Sequence, residues 1–157
     1  MKPRIPPPVI ALAAALLMEA LHRWFPLAQW IFPPWLRLGA LAAALGVAMS
    51  ATAFRSFRRA HTTVNPLDPG KATQLVTDGV FGITRNPMYL GLLLVLAGWA
   101  VWLGSVSVWL VPPLFTVVTT YAQIVPEERA LTQLFGEQYL KYQREVARWV
   151  GRRAPRA

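Results

Sequence analysis

Two short clusters hold the residues best suited to chemistry. Arg85-Asn86-Pro87-Met88-Tyr89 brings a guanidinium, an amide and a phenol within one short stretch, and Glu127-Glu128 sets two carboxylates side by side. An arginine, an amide, a phenol and paired acids, if brought together at a membrane edge, bind a charged cofactor while a lipid enters from the side. The plainer alternative is an arginine anchoring a helix end, a tyrosine in an interfacial belt and glutamates complementing a helix N-terminus. His61, Asn65, Asp68 and Asp78 lie in the polar stretch ahead of Arg85. There is no cysteine, so thiolate chemistry, disulfides and cysteine metal sites are excluded, and no metal is expected.

These clusters need elements to position them, and hydropathy supplies those. The chain has 157 residues, 55% hydrophobic and only 15% charged, which is far more apolar than a soluble domain of this size. No Asp, Glu, Lys or Arg occurs between Arg85 and Glu127, a run of about 40 residues, or roughly twice the ~20 that cross a bilayer core. It reads as a helical hairpin of Met88 to Leu103 and Val106 to about Val125, turned at Gly104-Ser105. The turn returns Tyr89 and Glu128 to the same membrane rim. Pro112-Pro113 predicts a kink inside the second arm, with the freed carbonyls facing protein. Leu38 to Phe54 is another charge-free span, opened by Pro33-Pro34, with a small-residue stripe of Gly39, Ala43, Gly46 and Ser50. That stripe suits close packing within the monomer or between subunits, or simply faces lipid, and oligomeric state stays open.

The first span runs from about Pro8 to Ala20 or a little beyond, and Glu19 there must sit near an end, pair, or serve a site. Pro6-Pro7-Pro8 and the lack of a small-residue cleavage site before His22-Arg23-Trp24-Phe25 favour a retained span over a signal peptide. Trp24, Phe25, Trp30 and Trp35 suit an aromatic belt. The expectation is an all-α integral membrane protein of about four transmembrane helices with a C-terminal amphipathic helix. It is read as one domain over residues 1–150 with a basic tail at 151–157.

The formal charge of +9 is distributed by topology. With four spans and both termini inside, nearly all the basic residues and the polar clusters face the cytoplasm, leaving His22, Arg23 and Arg37 outside. This expectation places the chain in a bacterial inner membrane, with anionic lipids as partners and no nucleic acid. Residues 57 to 87 form the long polar connection, longer than structural economy requires and so read as functional. From Pro126, the residues Leu131, Phe135, Tyr139, Tyr142, Val146 and Trp149 recur at helical spacing, which predicts one amphipathic helix weakened at Gly136 and stopped at Gly151.

The stretch TTVNPLDPGKATQLVTDGVFGITRNPMYLG from Thr62, followed by PEERALTQLFGEQYLKYQREVARWV, resembles the isoprenylcysteine carboxyl methyltransferase family of membrane methyltransferases and the related phospholipid methyltransferases. The resemblance implies S-adenosyl-L-methionine as cofactor and a lipophilic small molecule or lipid as methyl acceptor. The family's Arg-His-Pro-x-Tyr motif falls on Arg85, Asn86, Pro87, Met88 and Tyr89, and its Glu-Glu pair on Glu127 and Glu128. Its aromatic-glycine and paired-tyrosine pattern falls on Phe135, Gly136, Tyr139 and Tyr142. Arg85 is thereby expected to hold the methionine carboxylate, with Asn86, Pro87, Tyr89 and Tyr139 around the cofactor. One of Glu127 and Glu128 would bind ribose or amino groups and the other orient Arg85, so Arg85 and Glu128 are the residues assigned to catalysis. His61 and Asn65 are the acceptor-side candidates. The sequence departs from the family twice: Asn86 stands for histidine, and Gly82 stands where an arginine is common. Two further functions compete, a membrane reductase resembling the sterol reductases and a non-enzymatic membrane scaffold.

Overall fold

The computed structural model of the chain describes residues 5–29, 33–60 and 72–152. Among these the structure is all helical, with only isolated bridges, Gln29 to Ser105 and Val146 to Arg152, in place of a sheet. The helices are α1 (Pro7–Trp24), α2 (Pro33–Arg59), α3 (Pro87–Leu103), α4 (Val111–Thr119), α5 (Val125–Phe135) and α6 (Glu137–Glu145). Prolines stand in the first turn of α1 through α5, and at the free starts of α1, α2 and α3 a missing N–H costs nothing. Helix α3 ends on Gly104, whose φ of 63° gives the left-handed cap that turns the hairpin.

Two rods, Pro34–Arg59 and Ser107–Phe135, are long and apolar enough to cross a membrane, and α3 is a shorter apolar helix. Large apolar side chains cover the outside of these helices: Leu38, Leu41 and Leu45 on α2, Leu114 and Val117 on α4, and Leu12 and Leu16 on α1 are all exposed. Water would penalise so much exposed hydrocarbon, whereas lipid does not. The chain is therefore an integral membrane protein. Trp24, Trp35, Trp99, Trp102 and Trp109 are exposed toward the end where α1 closes and the hairpin turns, extending the expected aromatic belt to α3 and the start of the second rod.

Helix α3 is central. One face packs with α1 and α4 around Met18, Leu96, Ala100, Val108, Val111 and Phe115. Its other face meets α2 backbone to backbone. A Cβ on Gly39 would stand 2.9 Å from the Gly98 carbonyl oxygen, and one on Gly91 would stand 2.5 Å from that of Gly46. The small-residue stripe thus packs inside the monomer against glycines of α3, two contacts one heptad apart. At the far end His22 Nδ1 and Ser105 Oγ are 2.6 Å apart, and the Val106 N–H donates to Ala28. Glu19 accepts from its own helix, from Arg23 at 2.7 Å.

Two expectations are corrected. Pro112 and Pro113 do not kink a continuous α-helix. A 3-10 turn at Ser107–Leu110 precedes them, the Val111 N–H bonding to Val108, and the prolines form the first turn of α4. Two successive residues without N–H groups cannot serve carbonyls four back, so the chain closes the tighter turn ahead of them. The rod's irregularity lies instead at Thr120–Ile124, a π-helical turn in which the Val125 N–H reaches the Thr120 carbonyl. Pro126 follows directly; its ring and missing N–H bar the ordinary bond to residue 122.

The second correction concerns the C-terminal helix, expected to run unbroken from Pro126 toward Trp149. The rod passes through α5 and stops at Gly136, whose φ of 51° and ψ of −128° a side chain resists. After α6 the chain goes extended at Val146 and folds back over the rim in a turn bridged from Val146 to Arg152. Tyr139, Tyr142 and Val146 join Ala53, Val76 and Phe81 in a second buried cluster beneath it.

Candidate functional site

The entry to α3 is built tightly. Gly79–Gly82 forms a 3-10 turn that buries Phe81 edge-on to Phe57, with ring centroids 4.9 Å apart. Tyr142 donates its hydroxyl to the Phe81 carbonyl at 2.7 Å. The wholly buried Thr84 accepts the Asn86 N–H at 3.1 Å, fixing the extended residues that Pro87 then turns into helix. Arg85 projects from this corner with its side chain only 5% exposed.

Charge is paired across two helices. Arg85 Nη1 lies 3.1 Å from Glu128 Oε1 at the start of α5. Arg148, from the C-terminal turn, takes the same carboxylate with both ends of its fork, Nε to Oε1 at 2.9 Å and Nη2 to Oε2 at 2.7 Å. Tyr89 donates its hydroxyl to Glu127 Oε2 at 3.3 Å. The start of α3 and the start of α5 thus share one rim, as their separation by a hairpin predicts.

Arg85 Nε and Nη1 are buried with no hydrogen-bond acceptor among the described residues, since the Nη1 contact to Glu128 is an ion pair out of hydrogen-bonding line. Burying such donors unpaired costs about 1–3 kcal/mol or more. An anionic oxygen bound beside them removes that cost, and the α-carboxylate of S-adenosylmethionine is a group of this kind. The residues present therefore fit the cofactor.

Tyr139 is buried at the same rim. Burial, opposed in part by the Arg85 charge, pushes its phenol from 10.0 up to about 12, so it remains an O–H donor at neutral pH. Tyr142 is raised also, mainly by burial. Asn86 donates Nδ2 to the Arg148 carbonyl at 3.0 Å, and Pro87 is buried as the first helical residue. His61 and Asn65 lie outside the described residues.

Arg148 was missed in the sequence, where it counted only as one basic residue among several. Its available signal was its place after the periodic tyrosines and before Trp149 and Gly151, where a helix gives way to a turn. Trp149 likewise reads as the last apolar position of a helix, yet its indole N–H reaches Thr120 Oγ1 in the π-turn at 3.2 Å. At Gly82, the position of the absent family arginine, Arg152 donates Nε to the Gly82 carbonyl at 3.3 Å and brings another guanidinium there from the C-terminal turn.

Tyr89→Phe removes the hydroxyl that joins α3 to Glu127 and is expected to weaken S-adenosylhomocysteine binding by about threefold to tenfold, the usual worth of one such hydrogen bond. Titration calorimetry reads this directly, and unchanged affinity would count against Tyr89 as part of the pocket.

Comparison with known proteins bears on this geometry. The model of the phospholipid methyltransferase family matches residues 35–138, which include α3, the hairpin and both charged clusters. The chain is 30% identical over 148 residues to protein-S-isoprenylcysteine O-methyltransferase B of Arabidopsis thaliana, covering 85% of this chain and 70% of that one. An uncharacterized protein of Haemophilus influenzae is 43% identical over 63 residues, 40% of this chain and all of its own length. No solved structure matches significantly. These matches favour methyl transfer over the reductase and scaffold alternatives. The chain belongs to the phospholipid methyltransferase family and is an S-adenosylmethionine-dependent membrane methyltransferase acting on a lipophilic or membrane-associated acceptor.

Proposed function

We propose that the rim between α3 and α5 holds S-adenosylmethionine and methylates the carboxylate of a lipophilic acid that enters from the bilayer. The observation that carries this reading is the pair of buried, acceptorless donors on Arg85, set beside Glu128 and within the same rim as the Tyr89–Glu127 contact. Bound there, the cofactor supplies an electrophilic methyl group on a positively charged sulfonium. Arg85 takes its carboxylate, Glu127 and the phenols of Tyr89 and Tyr139 line its polar part, and Glu128 orients Arg85. His61 and Asn65 remain candidates for contact with the acceptor.

Among the described residues, the state of the carboxylates supports an acceptor that needs no base, His61 being the further base candidate in the sequence. Glu128 is engaged by two arginines and Glu127 by Tyr89, so neither stands ready as a general base. An amine or thiol must lose a proton before or during attack; a carboxylate need not. The name of the Arabidopsis relative, an isoprenylcysteine O-methyltransferase, supports an oxygen acceptor.

The same reading has four membrane crossings, α1, α2, α3 and the rod from Ser107, with the site and both termini in the cytoplasm of a bacterium. Arg55, Arg58 and Arg59 end α2 at the rim that also bears Arg129, Lys141 and Arg144, whereas Arg23 and Arg37 lie toward the other end. That bias supports the orientation, and the rim's cations suit anionic lipid head groups. Incubating the purified protein in nanodiscs with methyl-labelled S-adenosylmethionine and a total lipid extract tests the function. A base-labile lipid ester is expected. Base-stable label on a head-group amine would replace the acid by an amine acceptor, and failure to label any lipid would refute methylation of a lipid.

A further inference from the structure

Glu128 stands between two arginines of unequal circumstance. Arg85 is almost wholly buried, whereas the Arg148 side chain is 36% exposed at the open edge. Even so, Arg148 holds the aligned, two-pronged contact, and among the described residues Arg85 is left with a single ion pair and two unsatisfied donors. By charge alone the buried pair should close into a fork, because a guanidinium and a carboxylate attract most strongly where water is excluded. Something holds the carboxylate in the other orientation.

The backbone around Arg148 is that restraint. Its carbonyl accepts from Thr84 Oγ1 at 3.3 Å and from Asn86 Nδ2 at 3.0 Å, the residues that flank Arg85. The Arg85 N–H donates to the Ala147 carbonyl at 3.1 Å, and the Gly151 N–H to Ile83 at 2.9 Å. Trp149 fixes the other side of the turn to Thr120. The turn is registered on the same few residues that aim Arg85, so the two guanidinium groups approach Glu128 from fixed positions.

We infer that Arg148 is a positioning residue that holds the Glu128 carboxylate out of hydrogen-bonding line with Arg85, leaving Arg85 Nε and Nη1 to donate to the carboxylate of the bound cofactor. Asn86 serves the same device by anchoring the Arg148 carbonyl. The inference rests on the reading that Arg85 receives that carboxylate. Without Arg148, Glu128 turns to Arg85, its other cation among the described residues, and consumes the donors that the ligand needs.

The test is titration of S-adenosylhomocysteine into the full-length protein in nanodiscs, using Arg148→Ala, Glu128→Gln and the double variant. Arg148→Ala is expected to weaken binding by about tenfold or more, the worth of charge-assisted hydrogen bonds lost by the ligand. In the Glu128→Gln background the same change is expected to cost less than about threefold, because a neutral amide does not capture Arg85. Arg148→Lys should fall between, since an ammonium cannot hold both oxygens in a fork. An equal loss in both backgrounds would overturn the inference, for it would mean that Arg148 only holds the turn in place. So would unchanged binding by Arg148→Ala. If Arg148→Ala does not fold, the comparison passes to Arg148→Gln in the same two backgrounds with the same expectations. Absence of binding by the unmodified protein would instead remove the cofactor reading, and this inference with it.

Discussion

Replacing Gly46 with leucine is expected to leave little or no folded protein. A Cβ at that position would collide with the Gly91 carbonyl oxygen, which is backbone and cannot rotate away. The reverse substitution at Gly91 meets Ser50 and the Gly46 carbonyl, so neither helix can yield to the other. In lipid, hydrocarbon side chains gain little by leaving the bilayer, and close backbone approach is what joins α2 to α3. Forcing the helices apart should cost about 3 kcal/mol or more, the upper end of overpacking penalties. It would also move Tyr89, two residues from Gly91, away from Glu127. Gly46→Ala should be intermediate. Gly82→Ala is the control, because its Cβ would find its nearest neighbour at 3.7 Å, and it should change stability by less than about 0.5 kcal/mol. Thermal unfolding in nanodiscs separates these variants; a Gly46→Leu protein as stable as Gly82→Ala would refute the packing argument.

The features legible in the sequence were those with a period or a gap. Charge-free runs located α2, α3 and the second arm of the hairpin, and Gly104 marked its turn because only a left-handed residue closes it so tightly. The convergence of Tyr89 with the glutamate pair followed from that hairpin alone. What escaped was local backbone competition. Gly136 was readable as weak, but whether a glycine merely loosens a helix or breaks it depends on what the chain gains by turning. Here the gain is the burial of Tyr139, Tyr142 and Val146 against Phe81. The π-turn escaped for a similar reason: Pro126 suits a helix start, and nothing local says that the preceding rod will run into it without a break. Arg148 was illegible because its partner, Glu128, is reached only after two helices and a reversal of direction. Small-residue spacing on α2 suggested close packing without naming a partner; Gly91 and Gly98 supply it at the same seven-residue interval.

Arg85→Ala is expected to produce the largest loss of cofactor affinity among variants that still fold. Its guanidinium presents buried Nε and Nη1 donors, and hydrogen bonds to charged groups contribute about 1.5–3 kcal/mol each, so S-adenosylhomocysteine binding should weaken by roughly a hundredfold or more. Folding should survive for a specific reason. Removing one member of a buried ion pair ordinarily strands the other, at about 3–5 kcal/mol, but Glu128 keeps both oxygens on Arg148. Arg85→Lys should restore little, because an ammonium at the end of a flexible chain does not offer the two fixed donors of a guanidinium edge. Calorimetry on detergent-free nanodiscs, with melting curves alongside, distinguishes lost binding from lost structure. Affinity for Arg85→Ala equal to that of the unmodified protein would place the cofactor's carboxylate elsewhere. Ordering the variants sharpens the test: the loss should be largest for Arg85→Ala, which removes the donors, smaller for Arg148→Ala, which lets Glu128 occupy them, and least for Tyr89→Phe, which leaves them untouched.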